Sequence, residues 1–441
     1  MSSATRVLEK PKAPKVEALK GAFFWLSGFY FVYCARPEDY IPGLKYLPVA
    51  KITGICALLG LLMSMNKVRS KFKELPKEAG YLATIIGLLF LSSLFSPVWK
   101  TGALMHTIDF AKLYVAWILS FLLITEFQQL RRIVYIQSAC VPIVCIVSII
   151  KGHSRPRLEG VLGGIYSNSN DLAFAIVLSL PFCAAFFLLT KSKIRKSLWI
   201  IGLMAMLNAL VMTASRAGFI TLVIAGSVCL WHFGVKGKRF YLIVSTLVLT
   251  SILMATAGDK LIDRFEALSG DSEDSQSAYG SYVARTRLMA RALDAIKEYP
   301  LLGVGAHDFV PYSGLWQPVH MSYLQIAAEG GIPVLILYLM FFQRGFSNLK
   351  KLRRMKNLRG DIKIFVGALH SSLIGFVVGA VFAPEAYQFF PYFAVVYTSA
   401  LYSIVQSGEG TIVLPQKMSF RNWRDVRGAA GKPETSPALS P

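Results

Sequence analysis

Charge is scarce in this chain: Asp, Glu, Lys and Arg make up 16% of its 441 residues, against 54% hydrophobic, and the mean hydropathy is +0.50. So little charge lies outside the usual range of soluble domains and makes a bilayer the solvent. Cysteine offers no covalent staples. The six (Cys34, Cys56, Cys140, Cys145, Cys183, Cys229) sit in or at the edges of apolar runs, without CxxC spacing. That excludes a disulfide framework and a zinc module, and leaves them as small apolar packing groups. The first 20 residues are polar and the first apolar run lacks a small-residue cleavage pattern, so the N-terminus is expected to be retained. No internal repeat of the kind many secondary transporters carry is visible.

Long apolar runs are what the chain has. Runs of about 16 to 22 residues, long enough for a hydrocarbon core of roughly 30 Å, fall near 20–35, 48–66, 80–96, 104–124, 133–150, 170–190, 198–214, 218–233, 240–257, 320–342, 364–383 and 386–405. With a cytoplasmic N-terminus, the clusters Lys67/Arg69/Lys71/Lys73, Lys191/Lys193/Arg195/Lys196, Lys236/Lys238/Arg239 and Lys350/Lys351/Arg353/Arg354 all fall inside, as the positive-inside rule requires. An even number of spans with both termini inside follows. The net charge of +22 is then a consequence of topology, and nucleic acid is not expected as a partner, since that would need a basic face with base-reading aromatics.

The fold class is therefore an all-α polytopic membrane protein. About 12 transmembrane helices are expected, with one long external loop carrying an amphipathic helix. The parts are a cytoplasmic tail at 1–19, helices 1 to 9 over 20–257, the external loop at 258–319, helices 10 to 12 over 320–405, and a second tail at 406–441. Two external connections stand out, 151–169 with Lys151, His153, Arg155 and Arg157, and 258–319. In the latter, 269–278 is acidic, small and polar, the composition of a mobile segment. From Val283 to Glu298, Leu288, Met289, Ala292, Leu293 and Ile296 recur at helical spacing and form one apolar stripe, with Arg287 and Arg291 opposite.

Arg285 breaks that division. At 100° per residue it lies within about 40° of Met289, Ala292 and Ile296 and points with the apolar stripe. A guanidinium so placed either meets an anion or snorkels to water and lipid phosphates. Arg216, in Thr213-Ala-Ser-Arg-Ala-Gly218, sits at the outer junction of two spans, where small residues permit a tight reversal. It reads as a functional charge or as an interfacial anchor. His320 opens a span that also carries Gln325 and Glu329, followed by Gly330 and Gly331. Glu329 is out of phase with His320 on the helix and is expected to order a neighbouring helix. Asp109 and Lys112 read as an intramembrane pair, structural in preference to a proton pathway. His307 reads as a turn residue, and Tyr312 and Trp316 as interfacial aromatics in preference to rings that stack on sugars.

The run Tyr166-Ser-Asn-Ser-Asn170, then Ser215-Arg216-Ala-Gly218, Arg285 ahead of Ala292-Leu293, Pro300-Leu-Leu-Gly-Val-Gly305, and His320 with Leu324-Gln325 and Glu329-Gly330 resembles the O-antigen ligase and polymerase superfamily of bacterial membrane glycosyltransferases. The ordered motifs cover about 160–345. The sequence departs from that pattern at Ser169, Met289 and Met321, where the family often carries proline, tryptophan and asparagine. The resemblance implies a glycan donor on undecaprenyl diphosphate at the periplasmic face of the bacterial inner membrane. It implies transfer to an acceptor hydroxyl: lipid A core for a ligase in lipopolysaccharide biosynthesis, another repeat for a polymerase, or a protein for an O-oligosaccharyltransferase. A polysaccharide or lipid transporter is the non-enzyme alternative. Arg216 and Arg285 would stabilise the diphosphate and His320 would be the general base, a phosphate ligand or an orienting group. Asn168, Asn170, Tyr323 and Gln325 are expected at the substrate, with Asn170 equally readable as a helix cap, and Glu329 and Gly330 behind them. The external loops hold no acidic pair placed for Mg²⁺, so no metal or other cofactor is expected and transfer should be metal-independent, inverting by direct displacement.

Overall fold

The computed structural model describes residues 19–151, 157–160, 166, 168–248, 251, 273–355 and 357–408; at 273–282 the backbone alone is described. Among the described residues the chain is all α, without a β-strand. In hydrocarbon every backbone N–H and C=O must be satisfied within its own segment, and these apolar runs do so as helices. The helices are α1 (Lys20–Ala35), α2 (Val49–Met63), α3 (Met65–Lys73), α4 (Lys77–Leu94), α5 (Lys100–Leu123), α6 (Phe127–Lys151), α7 (Ser169–Leu189), α8 (Lys193–Thr213) and α9 (Arg216–Leu230). They continue with α10 (Glu273–Glu298), α11 (Phe309–Ser313), α12 (Ser322–Arg354), α13 (Gly360–Gly379) and α14 (Phe389–Gln406).

Among the described residues nine helices are long and apolar enough to cross a membrane, ten if α2 and α3, bent by 91°, form one broken span. Two of the twelve expected runs account for the difference. The run at 20–35 forms α1, at 16 residues short of a full crossing. The run at 240–257 is helical at 240–248, and its last six residues lie outside the described set. So do most of the two tails, residues 1–18 and 409–441, and 152–156 with His153 and Arg155. The bend before α3 has a local cause: α3 is basic and turns away from the apolar run, and Lys71 Nζ donates to the Ile124 carbonyl (2.6 Å) at the C-terminal end of α5.

α7 packs on α6, α8, α9 and α13, and α12 on α4 and α14. α7, α9 and α12 start at one face of the bundle, each following a connection there, and this face carries the candidate site. α12 is broken at Gly331 (φ 83°, ψ 172°). The preceding segment fills the break. Val304 N–H donates to the Ala328 carbonyl (2.9 Å), Gly305 N–H to the Glu329 carbonyl (3.0 Å), and Ile332 N–H to the Pro300 carbonyl (2.8 Å). Backbone bonds lost at the kink are thus replaced by a spliced loop, and a Cβ on Gly331 would stand 2.4 Å from the Leu301 carbonyl oxygen.

The amphipathic helix is present but differs from expectation in length and phase. α10 begins at Glu273, ten residues before the expected start, so part of the acidic stretch read as mobile is helical; acidic residues at a helix N-terminus complement its dipole. Among its described side chains Leu288, Ala292 and Ala295 are buried, while Met289 and Leu293 are 40% and 46% exposed. The stripe is rotated because α10 docks on Val304, Phe309, Val319 and Ala328, a contact that small Ala292 and Ala295 make close. Arg285 precedes Leu288 by three residues and Ala292 by seven, so it stays near the docked face, half-buried. Arg287 and Arg291 are exposed, as the pattern required, and Arg291 lies over the Tyr312 ring.

Candidate active site at the arginine and histidine face

The turn that carries Arg216 is short and heavily braced. Ala214 takes φ 47° and reverses the chain between α8 and α9 in two residues. Ser215 caps α9, its Oγ accepting from Gly218 N–H at 3.1 Å. A Cβ on Gly218 would lie 2.7 Å from the Ala173 Cβ, so α9 touches α7 there. Ser215 Oγ donates to Asn170 Oδ1 (2.8 Å), which also accepts from Arg157 Nη2 (3.1 Å); Arg157 Nε donates to the Thr213 carbonyl (2.8 Å). This bracing holds Arg216 at the first position of α9 with its Nη1 buried and without a hydrogen-bond partner among the described residues. Leaving a buried guanidinium N–H unsatisfied costs more than leaving a neutral donor so, and the donor chemistry suits an anionic group.

Arg285 and His320 face the same region. Burial, and then the charge of Arg216, push the Arg285 pKa below its ordinary value. Burial, and then the charge of Arg285, push the His320 pKa below its ordinary value, so the imidazole is neutral near pH 7. His320 Nδ1 is buried and has no hydrogen-bond partner among the described residues. The electrostatic chain thus runs from Arg216 to Arg285 to His320, and among the described residues no carboxylate acts on the last two. The sequence expectation named these three from separate segments, and the fold brings them together.

The expected substrate contacts fare differently. Asn168 is the N-cap of α7, its Oδ1 accepting from Asn170 N–H (2.7 Å) and Asp171 N–H (3.1 Å). Asn170 braces the Arg216 turn. Tyr323 donates its hydroxyl proton to the Val377 carbonyl on α13 (2.8 Å). Gln325 and Glu329 are buried, with Gln325 Oε1 and Glu329 Oε2 unpartnered among the described residues. Glu329 orders a neighbouring helix through its carbonyl, which accepts from Ser92 Oγ of α4 (2.8 Å). Gly330 lets α4 approach: a Cβ there would meet Leu89 at 2.9 Å.

His307 is a turn residue (φ 60°), its ring 4.4 Å from that of His106 and 4.8 Å from that of Tyr387. Burial first, then His106, lower its pKa to about 4. Tyr312 donates to Glu298 Oε2 (2.7 Å), and Trp316 is 82% exposed. Asp109 and Lys112 form the expected ion pair.

Sequence reasoning passed over a pair of acids. Asp171, in the first turn of α7, is in side-chain hydrogen-bonding contact with Glu385, in the connection between α13 and α14. A signal was present: Glu385 is the one Asp, Glu, Lys or Arg between Lys363 and Glu409.

Residues 201–339 match the family model described as O-antigen ligase. The match spans Arg216, Arg285, His320, Gln325 and Glu329, bears out the superfamily reached from the motifs, and supports a ligase or polymerase type of function. No curated relative matches the chain. Among solved structures, one chain described with the structural coordination of polymerization and crosslinking by a peptidoglycan synthase complex aligns at 12% identity and a TM-score of 0.41. The alignment covers 75% of this chain and 97% of that one.

Proposed function

We propose that this chain transfers a glycan from undecaprenyl diphosphate to an acceptor hydroxyl, with lipid A core as the acceptor, at the periplasmic face of the bacterial inner membrane. Both termini are then cytoplasmic. The observation that carries the reading is the convergence of Arg216, Arg285 and His320, with no carboxylate acting on the last two and Arg216 Nη1 buried and unpartnered, both among the described residues. As the anomeric C–O bond breaks, negative charge develops on the diphosphate, and preorganised guanidinium donors in a partly dry site stabilise it. Neutral His320 takes the proton of the attacking hydroxyl. Displacement in one step inverts the anomeric centre, and the two arginines stabilise the leaving group without a metal.

The test is transfer from a purified undecaprenyl-diphosphate glycan to lipid A core in nanodiscs, with EDTA, comparing wild type with Arg216→Ala. Product from wild type alone supports the reading. Product only when a second lipid-linked repeat or a protein replaces lipid A core moves the assignment to a polymerase or a protein glycosyltransferase. A wild-type protein that fails to retain the donor overturns the glycosyltransferase reading.

A further inference from the structure

The Asp171 and Glu385 carboxyls touch each other, and two ionised carboxylates have no proton with which to do so. One of them must be protonated. Glu385 is 3% exposed, and no arginine, lysine or histidine forms an ion pair with either acid among the described residues. Burial, and then the charge of Asp171, push Glu385 well above the usual carboxyl range. Among the described residues, the other titratable groups within electrostatic reach of Glu385 are the hydroxyls of Tyr33 on α1 and Tyr338 on α12. Tyr338 is fully buried and its hydroxyl is unpartnered among the described residues, as is Glu385 Oε1.

The pair lies on a bonded path between the two halves of the site. On one side, Asp171 follows Asn170, which accepts from Ser215 Oγ (2.8 Å) next to Arg216. On the other, Glu385 N–H donates to Ser322 Oγ (2.9 Å), which donates to the Ala383 carbonyl (2.7 Å), while Ser322 N–H donates to the Ala380 carbonyl (2.8 Å). Ser322 is two residues from His320.

We propose that Asp171 and Glu385 share one proton that locks the His320 segment to the helix bracing the Arg216 turn, making both acids positioning residues for glycan transfer. The catalytic half of this inference rests on the proposed function; the shared proton does not. Below the pair's second ionisation the proton bridges α7 to the connection between α13 and α14. Above it, two buried carboxylates face each other and repel, and the spacing of Arg216 and His320 is lost. Because the folded state holds the proton more tightly than the unfolded chain does, stability falls as pH rises from the usual carboxyl value toward the raised one.

Two readouts test this in nanodiscs. In the infrared difference spectrum of wild type minus the Asp171→Asn/Glu385→Gln double variant, pH titration should show a protonated-carboxyl carbonyl band that persists at neutral pH and disappears at alkaline pH. This needs no substrate, so it stands if the glycan is never transferred. In the transfer assay, wild-type kcat should fall about tenfold per pH unit above the second ionisation. Glu385→Gln should lack that fall, because its amide donates to ionised Asp171 without a titrating proton, and Glu385→Ala should lose at least about tenfold in kcat at every pH below the second ionisation. The absence of that difference band at neutral pH overturns the shared proton. A folded Glu385→Gln inactive at every pH, or one with the wild-type profile, overturns the positioning role.

Discussion

Replacing Arg285 by alanine removes one member of the Arg216, Arg285 and His320 group and leaves its helix intact, since α10 docks through Leu288, Ala292 and Ala295. A charge-assisted hydrogen bond to a phosphate oxygen contributes about 1.5–3 kcal/mol. A guanidinium offering two such bonds to the departing diphosphate therefore supplies roughly 3–6 kcal/mol, or about 10²- to 10⁴-fold in rate. Arg285 is only half-buried, so solvent screening takes the expectation to the lower end, about 10². Arg287, exposed two residues on, should cost no more than about threefold when changed to alanine. A second readout follows from the electrostatics. Arg285 helps hold the His320 pKa down, so its removal lets the imidazole rise toward its ordinary value. The acid limb of the kcat/KM profile should then move to higher pH in Arg285→Ala and stay in place in Arg287→Ala. Steady-state transfer in nanodiscs across pH 5 to 8, roughly the range in which imidazole titrates, reads both effects. Equal losses in the two variants, or an unmoved acid limb in Arg285→Ala, would refute the geometry drawn for α10.

Gly331→Ala should lower the unfolding temperature measured by tryptophan fluorescence in detergent, by the equivalent of about 2 kcal/mol or more, because it combines positive φ with a clash at Leu301. Asn170→Ala removes the acceptor of one bond from Ser215 Oγ and one from Arg157 Nη2 and should cost about 2–3 kcal/mol of stability. It should lower transfer through Arg216 as well, seen as a kcat loss exceeding that of the Asn170→Asp variant, which keeps the acceptor oxygen. Tyr323→Phe deletes one bond to the Val377 carbonyl and should cost about 1 kcal/mol while transfer stays within about threefold; a loss of transfer near that of Arg285→Ala would place the hydroxyl at the substrate.

Much of the fold was legible because hydrocarbon leaves few choices. An apolar run of sufficient length must be a helix, and eleven of the twelve expected runs correspond to helices lying wholly among the described residues. Arg216, Arg285 and His320 were legible because a charge beside an apolar run is conspicuous. The phase of α10 was not, because the pattern counted Met289 and Leu293 for their hydrophobicity, whereas the docked face was decided by what Ala292 and Ala295 allow to come near. Asn168 and Asn170 look alike in sequence, yet one caps α7 and the other relays bonds to Arg157 and Ser215, a difference that needs the neighbouring turn in place. Asp171 and Glu385 lie far apart in the chain, and neither has a local partner pattern that points to the other.

The splice at Gly331 also fixes a pivot. Glu298 ends α10 two residues before Pro300, whose carbonyl is bonded into the break of α12, so the C-terminal end of α10 is anchored there. Arg285 sits thirteen residues up that helix, roughly 20 Å from the anchor at the α-helical rise. α10 is therefore a lever, and a tilt of about 5° about the anchor carries the Arg285 end through nearly 2 Å. Misplacement by about 1 Å is enough to cost a catalytic contact a hundredfold. In the proposed reaction the angle of this one helix therefore governs where Arg285 stands, and a variant or ligand that wedges beneath it is expected to act on Arg285 without touching it.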